Sequence, residues 1–294
     1  MTHRKASLSD HLKSLPLYVL PHHAISRVIY VLTRLRTPLK NPFVRWFVRH
    51  FKVDMNEAIE ADPTRYASFN EFFTRPLRPE LRPLAKDPAV IASPVDGAVS
   101  QAGPIEGGRI FQAKGHEYTA QELLGGSETL AQEFADGRFT TLYLSPRDYH
   151  RIHMPVEGTL KRMVYVPGRL FSVAPHTVRA VPRLFARNER VVAVFDTPLG
   201  SMAMVLVGAI NVAAIETVWA GLITPPKGKR ISSTRYGDDR PAPFLRKGEE
   251  MGRFNMGSTV ILLFADSKVS WSNDLVHGAT VRMGREIGRG PTGE

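Results

Sequence analysis

Ser258 stands in the segment "GRFNMGSTVI" (252–261), directly after a glycine and just before an apolar run. A serine hydroxyl is a weak nucleophile until a neighbouring base takes its proton. The G-x-S-x-G elbow of many serine hydrolases is absent from this segment. The preceding bond offers different chemistry, because Gly257 has no side chain to shield its carbonyl carbon or restrict its backbone. The alternative interpretation is a polar residue at the start of a strand.

Attack by the Ser258 hydroxyl on the Gly257 carbonyl carbon would turn the amide between them into an ester. β-Elimination would then break the chain and leave dehydroalanine at the new N-terminus. Addition of water and loss of ammonia would convert dehydroalanine into a pyruvoyl group. The first step requires a base within reach of the hydroxyl.

Two other segments offer that base. "IASPVDGAVS" (91–100) places Asp96 directly before a glycine, and "LYLSPRDYHRIHMP" (142–155) contains His150 and His153. An imidazole exchanges a proton near neutral pH. The alternatives are a turn at the Asp-Gly pair and histidines that are simply buried and hydrogen-bonded. H-x-x-H could be half of a metal site, but no further ligands are evident and no metal is expected.

Charge is distributed unevenly along the chain. The 294 residues include no cysteine and carry a net charge of +11. Without cysteine, the chain can form neither disulfides nor thiolate nucleophiles. Residues 1–53 hold ten lysines and arginines but a single acidic residue. Such asymmetry indicates a polyanionic partner, either nucleic acid or an anionic membrane surface.

The basic segment also has the periodicity of amphipathic helices. In "AISRVIYVLTRLR" and "NPFVRWFVRHFKV", apolar and aromatic residues recur at helical spacing against arginines. Such helices suit a membrane interface, where arginine meets phosphate and aromatic rings lie at the acyl boundary. The alternative is a helical pair packed on the protein's own core. No nucleic-acid-binding motif accompanies the charge, so nucleic acid is not expected as a partner.

The pattern changes twice further along the chain. Residues 61–90 are rich in proline and predict a short helix at Phe69–Phe73 within a connecting arm. From about residue 91, short β-branched runs separated by turn residues predict strands. The sequence therefore predicts an α+β, mainly β protein. Membrane-associating helices over 1–60 and the arm precede a catalytic domain over 91–294, an antiparallel β-sandwich or partly closed barrel.

Taken in order, "SPVDG", "YLSPRDYHRIHMP" and "GRFNMGSTV" resemble the phosphatidylserine decarboxylases, in particular the membrane-associated bacterial type made as a proenzyme. "FNEFFTRPLRPELRP", "LFSVAPHTVRAVPRLFARNERVV" and "VLVGAINVAAIETVWAG" are similar to the same family, so the resemblance covers nearly the whole chain. Met256 stands where the family usually has leucine. Methionine is also apolar and of similar volume, so processing should survive the change.

The resemblance implies that Asp96, His153 and Ser258 form the triad that cleaves the Gly257–Ser258 bond. The resulting β chain (1–257) and α chain (258–294) would stay associated. Ser258 would become the pyruvoyl cofactor, so no separate cofactor would be needed.

The resemblance also implies the reaction and its setting. The pyruvoyl group would form a Schiff base with the amine of phosphatidylserine and act as an electron sink, so that CO2 leaves and phosphatidylethanolamine results. His153 is the candidate for the accompanying proton transfer, and His150 for a contact with the substrate carboxylate or phosphate. The processed units would form a homodimer, bound peripherally to the cytoplasmic side of the bacterial inner membrane.

Other functions stay open on the residues alone. A membrane-surface lipid hydrolase could use a Ser-His-Asp arrangement with Ser258 and remain one chain. A lipoyl-like β-sandwich with a lipid-binding arm would be no enzyme and would tolerate Ser258→Ala. A pyruvoyl decarboxylase for a different amine is a further alternative, against which the basic N-terminal segment argues.

Overall fold

The computed structural model describes residues 6–210, 214–224, 230–255 and 259–291. Helices come first in these ranges, and strands follow. The α-helices are α1 (Leu8–Ser14), α2 (His22–Thr33), α3 (Lys40–Phe51), α4 (Phe69–Phe73), α5 (Ala120–Leu123), α6 (Glu128–Glu133), α7 (Pro175–Ala180) and α8 (Leu184–Arg187). Short 3₁₀ turns lie at Leu15–Tyr18, Met55–Glu57 and Pro79–Leu81.

The helices predicted in the basic segment are confirmed as α1 to α3, and the short helix of the arm as α4. Ser7 caps α1, since its hydroxyl accepts from the Asp10 amide and the Asp10 carboxylate accepts from the Ser7 amide. Asp10 also pairs with Arg179 of α7 at 2.9 Å, which fastens α1 to the β-rich part of the chain. No helix within the described ranges is both long enough and apolar enough to cross a bilayer.

Helix α3 has two different faces. One face packs on α4 and forms an aromatic cluster with it. The cluster consists of Val44, Phe47, Val53, Phe69, Phe72 and Phe73. On the other face Phe43 and Trp46 are about half exposed, at 48% and 50%. Helix α3 therefore packs on the protein itself through one face and presents aromatic rings to the outside on the other, where a membrane interface stays a prediction.

Most of the remaining chain is β-strand. The strands are β1 (Val90–Ala92), β2 (Gly97–Pro104), β3 (Arg109–Ala113), β4 (His116–Thr119), β5 (Arg138–Tyr143), β6 (Arg151–His153), β7 (Gly158–Val166), β8 (Arg190–Thr197), β9 (Gly200–Val207), β10 (Ile215–Thr217), β11 (Gly221–Leu222), β12 (Ser232–Arg235), β13 (Phe244–Leu245), β14 (Glu250–Phe254), β15 (Thr259–Phe264), β16 (Ser270–Trp271), β17 (Thr280–Val281) and β18 (Glu286–Arg289).

The strands form antiparallel sheets. The largest has the order β12-β7-β8-β9-β15-β5-β2-β17, with β13 also paired to β7. A second sheet has the order β11-β10-β14-β6, a third β1-β18-β16, and β3 and β4 form a ribbon. This confirms the mainly antiparallel β architecture, and the described strands do not close into a barrel. Strand β15 lies in the middle of the large sheet, where all six of its residues are buried. Burial on both faces explains why its apolar run does not alternate with polar residues.

Candidate active site

Three neighbouring strands bring the three sequence segments together. Strand β2 begins directly after Asp96, β5 ends at Tyr143, and β15 begins directly after Ser258. In the sheet Ala98 pairs with Tyr143, and Tyr143 pairs with Thr259. Since neighbouring strands lie about 4.8 Å apart, Thr259 is about 10 Å from Ala98 across the sheet.

The segment that carries His150 and His153 (142–155, the histidine segment) lies beside these strand ends. Its backbone is hydrogen-bonded to the Asp96 segment, because the His153 amide donates to the Pro94 carbonyl at 2.9 Å. Strand β6 pairs with β14, so that His153 lies opposite Glu250. Met256, Gly257 and Ser258 lie outside the described residues, so the predicted cleavage bond is characterised here through its neighbours in β14 and β15.

Both ring nitrogens of His153 have partners. Nδ1 lies 2.8 Å from the Gly248 carbonyl oxygen, which can only accept, so Nδ1 carries the proton. Nε2 therefore has the lone pair and accepts from the Tyr149 hydroxyl at 3.0 Å. Burial lowers the pKa of His153, while the Gly248 carbonyl and the charge of Glu250 oppose this effect. The ring is thus neutral at physiological pH, which is the form that a general base requires.

Asp96 is buried and bonded to Arg82 rather than to His153. The Arg82 guanidinium reaches both Asp96 oxygens, with Nε 3.0 Å from Oδ1 and Nη2 2.5 Å from Oδ2. The Met283 amide donates to Oδ1 at 2.8 Å. No hydrogen bond among the described residues joins Asp96 to His153. The influence of Asp96 on the imidazole is electrostatic, since its negative charge raises the pKa of His153 against the lowering by burial.

The Asp96-Gly97 pair is not a hairpin corner. It lies between β1 and β2, which belong to different sheets. The glycine is needed for another reason: a Cβ at position 97 would overlap the Tyr143 carbonyl oxygen. The close approach of these two backbones holds Asp96 next to the end of β5.

His150 has a different environment from His153. It is fully buried, and its ring centroid lies 4.1 Å from that of Phe73 in the aromatic cluster. Nδ1 donates to the Asp148 carbonyl at 2.8 Å. Burial lowers the pKa of His150 to about 3, so the ring stays neutral. The two imidazoles do not converge: His150 packs on Phe73, whereas His153 is bonded to Tyr149 and Gly248.

Three buried polar atoms, one in the histidine segment and two at the residues that directly precede and follow 256–258 in the sequence, have no hydrogen-bond partner among the described residues. They are His150 Nε2, Asn255 Oδ1 and Thr259 Oγ1. Buried polar atoms rarely lack a partner, so these atoms are suited to a polar group bound here. A pyruvoyl group with an amine substrate matches them chemically. The Thr259 hydroxyl can donate to a carbonyl oxygen, and the other two atoms can accept from N–H.

Sequence reasoning missed three participants in this site. Tyr149 lies inside the histidine segment, directly before His150, and no catalytic pattern singles it out. Arg82 lies in the proline-rich arm, far from any catalytic pattern. The third is the Gly248 carbonyl, a backbone group that no side-chain motif could reveal. Within the described ranges no group of three or more metal-ligating side chains comes together.

Comparison with known proteins gives a consistent result. A family model described as phosphatidylserine decarboxylase matches residues 69–289, and a second model, described as PSD, matches residues 12–52. A phosphatidylserine decarboxylase proenzyme of Alkalilimnicola ehrlichii is 64% identical over 255 residues, 86% of this chain and 88% of the relative. One of Stutzerimonas stutzeri is 57% identical over 284 residues, 96% of this chain and 95% of the relative. The chain belongs to the phosphatidylserine decarboxylase family.

Proposed function

We propose that Asp96, His153 and Ser258 cut this chain between Gly257 and Ser258, and that Ser258 thereby becomes the pyruvoyl group that acts on phosphatidylserine. Family membership makes the chain a pyruvoyl-dependent carboxy-lyase that forms phosphatidylethanolamine. The hydrolase and the non-enzymatic module are therefore not retained. What remains to be tested is the assignment of residues to steps.

The observation that carries the assignment is the neutral His153 ring with its lone pair on Nε2. In our proposal this nitrogen is the base for self-cleavage. Because the Tyr149 hydroxyl occupies Nε2, the Ser258 proton passes to the tyrosine oxygen as Tyr149 gives its own proton to Nε2. The negative charge of Asp96 favours the protonated imidazole that results.

The same residues serve decarboxylation in the mature enzyme. The pyruvoyl group supplies a carbonyl that reacts with the substrate amine and an electron-withdrawing system that accepts the electron pair left by CO2. Thr259, Asn255 and His150 offer the unpartnered polar atoms that would hold the reacting groups. In our proposal His153 Nε2 takes a proton from the substrate ammonium as this becomes the reactive amine, and gives that proton to the carbon from which CO2 has left.

A lipid substrate requires the enzyme at a bilayer surface, and α2 and α3 suit that role. Their outward apolar side chains include Val28, Leu32 and Trp46, which are 57%, 58% and 50% exposed. Arg45 and Arg49 flank Trp46 on α3 and are exposed. We infer peripheral attachment to an anionic membrane, at the cytoplasmic side of the bacterial inner membrane.

Vesicle sedimentation tests the attachment. The protein should bind vesicles that contain anionic lipid and lose affinity in the variant with Trp46→Ser, Arg45→Gln and Arg49→Gln. Equal binding by the variant would contradict the assigned surface.

The homodimer of processed units belongs to the same proposal. Light scattering in detergent should give twice the mass of one β–α pair.

The residue assignment is tested with three variants. Ser258→Ala, His153→Ala and Asp96→Ala should each remain one chain and release no CO2 from carboxyl-labelled phosphatidylserine. A Ser258→Ala protein that still releases CO2 would exclude the pyruvoyl assignment. Efficient cleavage of His153→Ala or Asp96→Ala would exclude that residue from the triad.

A further inference from the structure

A cavity of about 250 Å³ lies beside Asp96, one member of the proposed triad. Asp96 and Tyr149 both line it, so it borders the groups assigned to self-cleavage. The charged side chains that line it come from several parts of the chain. These are the α3–α4 connection, the arm, the residue directly before β2, the histidine segment and the residue directly after β17. The cationic ones are Lys52, Arg75, Arg82, Arg147 and Arg282, and the acidic ones are Asp54, Glu57, Asp96 and Asp148.

The acidic side chains already have partners. Asp96 and Glu57 share Arg82, whose Nη2 lies 2.5 Å from Asp96 and 2.6 Å from Glu57. Arg282 adds a second contact to Glu57 at 3.0 Å. These carboxylates are therefore neutralised by the cations next to them.

The other two carboxylates are engaged as well. Asp148 accepts from the Ser145 amide at 2.7 Å and lies 3.8 Å from Arg147. Asp54 accepts from the Asn56 amide at 3.0 Å and caps the 3₁₀ turn that follows it.

Arg75 has no carboxylate in direct contact, although the charges of nearby carboxylates act on it from further away. It is 3% exposed, and no described carboxylate lies within 4.0 Å of it. Its one hydrogen bond among the described residues runs from Nη2 to the Arg147 carbonyl at 3.1 Å, and Nε is buried without a partner. Guanidinium stays charged even when buried, and an unpaired buried charge is unfavourable. A bound anion would supply the negative charge that this guanidinium lacks in direct contact.

We propose that this cavity binds a phosphate oxyanion through Arg75 and Arg147, and that in catalysis the phosphate is the phosphodiester of the substrate headgroup. The assignment to a headgroup rests on the proposed function. The guanidinium of Arg75 can donate to a phosphate oxygen, and the exposed Arg147 adds a second cation at the rim.

Reaction chemistry favours the phosphate over the carboxylate as the group held here. The carboxylate loses its charge as it departs as CO2, so pairing it with a buried cation would stabilise the substrate more than the transition state. The phosphodiester keeps its charge throughout. Holding that group anchors the headgroup without raising the barrier.

The test uses processed, full-length enzyme with a short-chain phosphatidylserine in mixed micelles at fixed surface concentration. Arg75→Gln should raise KM at least about tenfold and Arg147→Gln severalfold, with little change in kcat, since uniform binding is lost. The matched control is Arg109→Gln, which removes an exposed arginine that does not line the cavity and should leave KM unchanged. Intact mass confirms that each variant has cleaved itself, so a failure of self-cleavage is seen separately.

Two further measurements complete the test. Arg75→Gln should unfold at an equal or higher denaturant concentration than the parent, because an unpaired buried charge is removed. Inorganic phosphate should compete with the lipid in the parent and less so in Arg75→Gln. Unchanged KM in both cavity variants would overturn the headgroup assignment, even where phosphate still competes, because phosphate would then compete at a site that depends on neither arginine. Failure of Arg75→Gln to fold leaves Arg147→Gln, at an exposed position, to decide.

Discussion

The Tyr149 hydroxyl lies 3.0 Å from Nε2 of His153, and the Gly248 carbonyl lies 2.8 Å from Nδ1 of the same ring. Together these two contacts determine that Nε2 is the basic nitrogen, and they fix the orientation of the imidazole ring. A hydrogen bond donated to the neutral ring also disfavours its protonation. Tyr149 thus helps to keep the imidazole unprotonated before the reaction, which is the form in which it can act as a base.

Tyr149→Phe should slow self-cleavage at pH 7 by at least about tenfold, since a positioned proton-transfer group is lost. The measurement is the fraction of cut chain against time at several pH values. A profile identical to that of the parent would show that the hydroxyl has no part in the step.

Gly97→Ala should prevent self-cleavage. It should also lower the free energy of unfolding by about 1–3 kcal/mol, which is the usual cost of overpacking a buried site. The added Cβ would press against the Tyr143 carbonyl oxygen and displace the segment that carries Asp96. Gly103→Ala is the matched control in the same strand, where the nearest atom to a new Cβ is Phe139 Cε1 at 3.8 Å. Denaturant unfolding and gel analysis of cleavage measure both effects. Equal behaviour of the two variants would contradict this account of Gly97.

Asp96→Asn should leave the chain uncut, because the amide supplies no negative charge to favour protonated His153. Glu57→Gln removes the other carboxylate on Arg82 and should still allow cleavage. The comparison separates a role of Asp96 in the reaction from a role in neutralising Arg82, whose side chain is only 2% exposed. If both variants stay uncut, neutralisation of Arg82 is the common cause and Asp96 has no separate role.

His150 should make the folded protein sensitive to acid. Its folded pKa is about 3, against 6.5 in the unfolded chain. Below pH 6.5, His150 binds a proton in the unfolded chain but not in the folded chain. The free energy of unfolding therefore falls as pH falls. The slope from this one group approaches about 1.4 kcal/mol per pH unit until the folded pKa is reached.

His150→Gln removes this titration, so its stability should depend less on pH between 6 and 4. Urea unfolding is measured in a Ser258→Ala background, which keeps a single chain in both proteins. Parallel stability curves for the two proteins would refute the assigned burial of a neutral His150.

The sequence predicted the elements whose signals are local. The run from Val260 to Phe264 indicated a buried strand, and the arm's short helix was found with its bounds at Phe69–Phe73. Helices α7 and α8 were missed, because neither begins with a side-chain N-cap such as Ser68, which marks the start of the equally short α4.

The site was predictable in its residue types but not in its contacts. Asp96 and Arg82 lie 14 residues apart in the sequence, one on each side of β1, and only the folded chain brings them into contact. The Gly248 carbonyl reaches His153 from 95 residues away through a backbone atom common to every residue. Tertiary packing decides such contacts, and neither periodicity nor a motif encodes them.

The most direct test of the central claim is the intact mass of the purified protein under denaturing conditions. The account predicts two species that correspond to residues 1–257 and 258–294. The smaller one should be lighter by one ammonia than a peptide that begins with serine. A single uncut mass, from folded protein that still converts phosphatidylserine, would contradict the claim that Ser258 becomes the reacting group.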